Sequence, residues 1–233
     1  MLVLNDVNGM CFEIKKDEDN MGIYDLLKNM LVRKNDAPGN KEIVVKKHPV
    51  GIKTVIVTDL HGTAWRITDE ELANYFSDYD LCLILGDCYS NDIERILPYL
   101  DLAKTYAVYG NHNDYADRQY EKYGITNIHG KSFELGGKVF VGWEGSFKYK
   151  SSAIGMTQEE SVEFEKSLPD RCDYLVSHDG PYCEGNSNTP HAGLIGITNY
   201  QNRTGCFVLR GHLHDRYENK NEQCFYKIEH VIL

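Results

Sequence analysis

Thr54-Val55-Ile56-Val57-Thr58-Asp59-Leu60-His61-Gly62 is the stretch on which the reading of the fold turns. Residues 54–57 (TVIV) form a short apolar run, which predicts a buried strand, and the polar residues Asp59 and His61 stand just past its carboxyl end. The same pattern recurs down the chain. Residues 81–85 (LCLIL) lead to Gly86-Asp87, and 106–109 (YAVY) lead to Gly110-Asn111-His112. Residues 174–176 (YLV) lead to Ser177-His178, and 206–209 (CFVL) to Gly211-His212-Leu213-His214, while 139–141 (VFV) is a further strand-like run.

Helical patterns fall between these runs. Thr68 with Glu71, and Thr157 with Glu160, have the spacing of a capping box, and 93–100 and 115–123 carry helical periodicity. Strand alternating with helix predicts an α/β layered sandwich with helices on the sheet faces, in which ligands bind beyond the carboxyl ends of the strands. Residues 1–50 differ in texture, being rich in Lys, Asp and Asn. They read as an N-terminal appendage, with helical spacing over 24–32 (YDLLKNMLV) and a turn at 36–40, ahead of a main domain over 51–233.

The chain has 233 residues, enough for one domain with a sizeable core. No apolar run approaches the roughly 20 residues needed to cross a bilayer, and the N-terminus has no basic and apolar signal-peptide regions. Seven cysteines without a C-x-x-C pair argue against a disulfide framework and a structural zinc site. These features read as an intracellular, cytoplasmic chain that does not engage membranes. A formal net charge of -10 disfavours extended contact with a nucleic-acid backbone and leaves small anionic substrates open.

Each motif after a strand is weak alone. A D-x-H triplet arises by chance, a Gly-Asp pair is most often a turn, and a single histidine is most often a satisfied core residue. Five strand ends that all present carboxylate, amide or imidazole are hard to assemble by accident. Mixed nitrogen and oxygen donors without thiolate suit borderline divalent ions, manganese first, with iron, zinc, cobalt and nickel as alternatives.

In order, Asp59-x-His61, Gly86-Asp87, Gly110-Asn111-His112, His178 and Gly211-His212-x-His214 resemble the motif set of the calcineurin-like metallophosphoesterases, on the branch of small enzymes outside the phosphoprotein phosphatases. The resemblance spans about residues 54–220 and implies a two-sheet α/β sandwich with helices on its outer faces. It implies two divalent ions, one held by Asp59, His61, Asp87 and His214, the other by Asp87, Asn111, His178 and His212, with Asp87 bridging. It also implies His112 as the acid that protonates the leaving group. The family's third motif usually continues with an acid directly after this histidine, whereas here Asn113 intervenes and the acid is Asp114, which joins His112 as a catalytic candidate.

Two such ions, about 3.5–4 Å apart, would activate a bridging hydroxide and clamp the phosphoryl oxygens of an in-line displacement. The expected function is metal-dependent hydrolysis of a small phosphodiester or phosphomonoester of nucleotide type. The alternatives are a nuclease, which predicts a basic groove, and a catalytically silent scaffold that keeps the fold. Around the motifs, Trp65, Tyr89, Trp143, Phe147 and Tyr182 could stack on a base, although packing is the commoner role, and Arg66, Arg95 and Arg118 could meet phosphate. His191 reads most simply as a helix-start residue, and His48, His129 and His230 fall outside every motif.

Overall fold

The structure is a computed structural model that describes residues 2–5, 11–14, 51–113, 119–151, 153–186 and 189–233. The chain divides into two compact units, Met1–Val50 and Gly51–Leu233. In the first, β1 (Leu2–Asn5) pairs antiparallel with β2 (Cys11–Ile14). The helical spacing over 24–32 and the turn at 36–40 lie outside the described residues.

The second unit opens with β3 (Lys53–Thr58), helix α1 (Asp69–Tyr75), β4 (Leu81–Ile84), helix α2 (Ser90–Ile96) and β5 (Thr105–Ala107). Helix α3 (Gln119–Lys122), β6 (Thr126–Asn127), β7 (Ser132–Leu135), β8 (Lys138–Trp143), β9 (Ser146–Phe147) and β10 (Gly155–Met156) follow. The chain continues through α4 (Gln158–Glu165), β11 (Tyr174–Ser177), α5 (Ile195–Thr204) and β12 (Phe207–Arg210), and ends in β13 (Tyr217–Glu218), β14 (Glu222–Cys224) and β15 (Lys227–Ile232). Both expected capping boxes form, each with its Thr hydroxyl accepting the third backbone N–H and its Glu accepting the cap N–H.

Two mixed sheets result. One has the order β15-β3-β4-β5-β6, parallel except for antiparallel β15. The other has the order β13-β14-β12-β11-β8-β7, with β8, β11, β12 and β14 parallel. Strand alternation sends successive side chains to opposite faces and so divides the apolar runs between layers. Ile56, Leu83 and Leu85 meet Phe140, Val176 and Leu209 in one buried core that joins both sheets. Val55, Val57 and Ile84 pack with Leu72, Ile93 and Ile96 of α1 and α2 in a second core, and Leu175 and Val208 pack with Ile197 and Tyr200 of α5 in a third. This is the expected two-sheet sandwich with helices outside. Its four central motif strands, β3, β4, β11 and β12, are buried on both faces, which explains why they read as continuous apolar runs rather than alternating ones.

Candidate metal centre

The loops that leave β3, β4, β5, β11 and β12 converge. Backbone hydrogen bonds stitch them together: Asp59 N to Gly86 O at 3.1 Å, His61 N to Asp87 O at 3.0 Å, and Gly211 N to His178 O at 3.1 Å. The crossings are tight. A Cβ on Gly110 would lie 2.2 Å from Asp87 Oδ1, and one on Gly211 would lie 2.5 Å from Asp59 Oδ2, so only glycine fits at either place. Among the described residues the non-glycine residues with positive φ are Asp59, His61, Asp87, His212, His214 and Lys227. Five of these six are the carboxylates and imidazoles singled out from the sequence, and such strain collects where the surrounding structure over-determines a functional geometry.

Each carboxylate has one oxygen satisfied and one bare. Asp59 Oδ2 accepts the Thr58 hydroxyl at 2.7 Å and His212 N at 3.0 Å, and Asp87 Oδ1 accepts His112 N at 2.8 Å. Asp59 Oδ1 and Asp87 Oδ2 are buried and accept no hydrogen bond. Imidazole nitrogens surround these two atoms. His214 Nε2 lies 3.3 Å and His61 Nε2 3.7 Å from Asp59 Oδ1, while His178 Nε2 lies 3.3 Å and His61 Nε2 3.7 Å from Asp87 Oδ2.

Two carbonyl acceptors set the tautomers of two neutral rings. His178 Nδ1 donates to Leu85 O at 2.7 Å and His212 Nε2 to Pro190 O at 3.0 Å, while His61 Nδ1 lies 3.2 Å from the Tyr89 hydroxyl, which can donate or accept. In the neutral rings that leaves His178 Nε2 and His212 Nδ1 with lone pairs. His178 Nε2 lies 2.9 Å from Asn111 Oδ1, an acceptor for it when the ring is protonated, and His61 Nε2 faces His214 Nε2 at 2.9 Å. The His212 ring lies edge-on to that of His178, with centroids 4.9 Å apart.

Such a gathering of electron pairs is stable only around positive charge. Burial opposes ionisation of Asp59, but its contacts to His61 and Thr58, the charge of His178 and the His212 N–H hold its pKa well below the usual carboxylate range. Burial likewise opposes the charged form of His178, yet Asp87 and Asp59 push its pKa up to about 9, so the pocket draws a proton onto a wholly buried ring. His212, lacking such compensation, falls to about 4 through burial. The residues therefore fit divalent cations: Asp59, His61 and His214 form one group of atoms close enough to share an ion, and Asp59, Asp87 and His178 a second. Two imidazole nitrogens bound at about 2.1 Å on adjacent positions of one cation stand about 3 Å apart, which suits the His61–His214 spacing.

Residues 52–227 match the family model described as the calcineurin-like phosphoesterase superfamily domain. This chain belongs to that superfamily. Its fold is similar to the crystal structure of TT1561 of Thermus thermophilus, at 13% identity and a TM-score of 0.54, over 78% of this chain and 99% of that one. It is matched more loosely by a hypothetical protein of the same organism, at 13% identity and a TM-score of 0.43 over 76% of this chain and 75% of that one. Another loose match is a Saccharomyces cerevisiae serine/threonine phosphatase with similarity to human phosphatase PP5, at 14% identity and a TM-score of 0.38 over 77% of this chain and 68% of that one. Among curated proteins no sequence matches this chain. Members of the superfamily are metal-dependent phosphoesterases that typically bind two divalent ions, and this chain carries ligand groups suited to them.

Within that family setting, the departure at Asn113 has a visible consequence. Asn113 is buried, its Oδ1 accepts Asp87 N at 2.9 Å and Gly110 N at 2.6 Å, and its Nδ2 donates to Cys88 O at 2.8 Å. It ties the second motif to the third. Asp114 and Arg118 lie outside the described residues. His112 is exposed beside the cluster, its ring 5.6 Å from that of His61, and partial desolvation lowers its pKa below the usual imidazole value. Two contacts next to it were not foreseen. The Tyr149 hydroxyl accepts Asn111 Nδ2 at 3.3 Å, and the charge of Lys150 acts on His112.

Of the other residues considered, Trp143 is wholly buried and packs on Phe164, whereas Trp65 is 68% exposed. Arg95 is committed to Asp69 and the Ile67 carbonyl. His191 does approach the site: it sits in a turn ahead of α5, with its ring 4.9 Å from that of His212. Asp92, also unforeseen, is fully buried and accepts Gly62 N at 2.6 Å, Ala64 N at 2.9 Å and Tyr89 N at 2.9 Å, joining the first loop to the start of α2.

Proposed function

We propose that this chain is a dinuclear metal-dependent hydrolase of a small phosphate ester of nucleotide type, diester or monoester. The observation that carries this reading is the pair of bare, buried carboxylate oxygens, Asp59 Oδ1 and Asp87 Oδ2, ringed by the imidazole nitrogens of His61, His178 and His214. Asp59, His61, Asp87 and His214 would hold one ion, and Asp87, Asn111, His178 and His212 the other, with Asp87 common to both. Manganese is the ion we propose, from a donor set of imidazole, carboxylate and amide without thiolate. A cytoplasmic setting is part of this proposal, and the free, buried thiols of Cys82, Cys88, Cys172, Cys206 and Cys224 are compatible with it.

When bound, the ions supply the Lewis acidity that activates water and neutralises phosphoryl charge. The protein's own part is orientation and proton transfer. Leu85 O and Pro190 O accept from His178 Nδ1 and His212 Nε2 and so leave the opposite nitrogens of those rings for a metal, while the Tyr89 hydroxyl bonds His61 Nδ1 and orients that ring. His112, exposed beside the cluster, gives a proton to the leaving alkoxide; desolvation lowers its pKa, so the bound substrate anion has to favour its protonated form. Lys150, the cation beside His112, attracts the anionic substrate, and the exposed faces of Trp65 and Tyr89 offer stacking surfaces for a base.

The test is hydrolysis of a chromogenic phosphodiester and of its monoester by protein stripped with chelator and resupplied with Mn²⁺. Turnover that needs metal and vanishes in Asp87→Asn is the expected result, and the ratio of diester to monoester rates narrows the substrate. Two bound ions with no turnover on either ester would move weight to a silent scaffold.

A further inference from the structure

Lys227 shares the backbone signature of the ligands without being one. Its φ is +71°, a region that a long side chain occupies only under constraint, and it is the first residue of β15, directly opposite Thr58 of β3. From there its ammonium reaches under the first motif loop. Nζ donates to Asp59 O at 2.8 Å, to Leu60 O at 3.2 Å and to the Thr63 hydroxyl at 3.2 Å. Three N–H donors meet three acceptors, so the group has no donor left for a ligand. The preceding residue faces the same half of the site: the Tyr226 ring lies 5.6 Å from that of His214 and 4.8 Å from Lys227 Nζ.

We infer that Lys227 is a positioning residue, whose ammonium holds the Asp59–Thr63 loop in its left-handed turns so that Asp59 and His61 meet His214 around one cation. This rests on the metal-centre reading above. The contacts reach the loop that carries Asp59 and His61, which in the proposed ligand scheme serve the ion shared with His214. His178 and His212 are oriented by the carbonyls of Leu85 and Pro190 instead, so the effect falls chiefly on the first ion.

The experiment is a stepwise Mn²⁺ titration by calorimetry of the full chain, comparing wild type with Lys227→Gly and Lys227→Arg, and with thermal melting of the metal-free proteins alongside. Glycine accepts the positive φ, so Lys227→Gly removes the ammonium and its stem while relieving the backbone strain. Its missing side chain is butylammonium, and a cavity of about 410 Å³ lined by Leu60, Thr63, Tyr226 and Lys227 gives that amine a way in. The expected result is two ions bound by wild type, with one of the two weakened about 10–100-fold in Lys227→Gly. Added n-butylammonium, but not tetramethylammonium, restores it, and Lys227→Arg falls between. Equal affinities in wild type and Lys227→Gly, or equal losses at both ions, or a loss that butylammonium leaves unchanged, would overturn the inference. A wild type that binds no Mn²⁺ would instead remove the metal-centre reading itself.

Discussion

The two halves of the site are held in opposite ways. Asp87, Asn111, His178 and His212 are buried, and their ring nitrogens and amide are set by hydrogen bonds to Leu85 O, Pro190 O and Tyr149. On the other side only Asp59 is buried, while the His61 side chain is 23% and that of His214 51% exposed. There the orientation comes from left-handed backbone at Asp59, His61 and His214, and from the Lys227 ammonium behind it. A buried half braced by side-chain hydrogen bonds is rigid before metal arrives, whereas an exposed half braced through its backbone can exchange ligand and water. Proteins tend to place the mobile part of a site where burial is least.

Asp87 belongs to both halves, and removing its charge should produce the largest effect. Its bare oxygen lies 3.3 Å from His178 and 3.7 Å from His61, so Asp87→Asn should abolish turnover and weaken both ions together. A calorimetric titration in which the variant still binds one Mn²⁺ at wild-type affinity would show that the halves are independent. Next comes His112, to which the proposed mechanism gives a part in the chemistry rather than in metal binding. His112→Ala should slow esters with poor leaving groups by about 10²–10⁴-fold and leave activated aryl esters much less affected, as seen in a plot of rate against leaving-group pKa. A flat plot would rule out the acid role.

Asn113 tests the rigidity of the buried half. Its side chain makes three buried hydrogen bonds, and truncation strands Asp87 N, Gly110 N and Cys88 O. Asn113→Ala should cost about 2–4 kcal/mol of stability, read from denaturant melts of the metal-free protein. Asn113→Asp should be no milder, since it keeps the acceptor for two N–H groups but buries a carboxylate whose second oxygen faces the Cys88 carbonyl beside Asp87.

His129 supplies a control from outside the site. It is partly buried where His178 is wholly so, and among the described residues no carboxylate hydrogen-bonds its ring: Glu144 Oε1 is 3.8 Å away, the ring stacks on Phe164, and desolvation drives its pKa down to about 4. The unfolded chain takes a proton at this residue below about pH 6.5, while the folded chain refuses it until about pH 4. The unfolded state therefore binds more protons within that window, and stability falls as pH drops through it, by about 2 kcal/mol between pH 7 and pH 5. His129→Gln should flatten that part of the pH profile of stability. An unchanged slope would mean that other groups set it.

Much of this arrangement was legible in the sequence because each candidate ligand directly follows a strand buried on both faces, and such strands are continuous apolar runs. The capping boxes of α1 and α4 were legible for a similar reason, being contacts three residues apart. What stayed hidden depends on pairing between distant residues. The alternating residues 227–232 give a weak local signal, and nothing near Lys227 reveals that it would lie opposite Thr58, 169 positions earlier in the chain. Asn113 looked like an interruption of a motif because its three partners, on Asp87, Gly110 and Cys88, come together only when the second and third loops cross. Tyr149 and Lys150 lie between the short strands β9 and β10, where no periodicity marks them.

The smallest effect should come from Tyr89, and it separates the two ways of holding the exposed half. Its hydroxyl is the hydrogen-bond partner of His61 Nδ1 at 3.2 Å, in the place that carbonyls take for His178 and His212. Tyr89 is 37% exposed, so Tyr89→Phe keeps the ring and should leave the melting temperature nearly unchanged. If the hydroxyl sets the tautomer and turn of His61, the ion shared by Asp59, His61 and His214 should weaken by about 10-fold, the low end of what outer-shell partners contribute, with the other ion untouched. If the backbone of the Asp59–Thr63 loop already fixes His61, the variant should bind both ions as wild type does. Because the imidazole exchanges a hydrogen-bond partner for water rather than for nothing, the loss should also be smaller than in Lys227→Gly. A Tyr89→Phe loss as large as that of Lys227→Gly would mean that side-chain hydrogen bonding, and not the strained backbone, carries both halves.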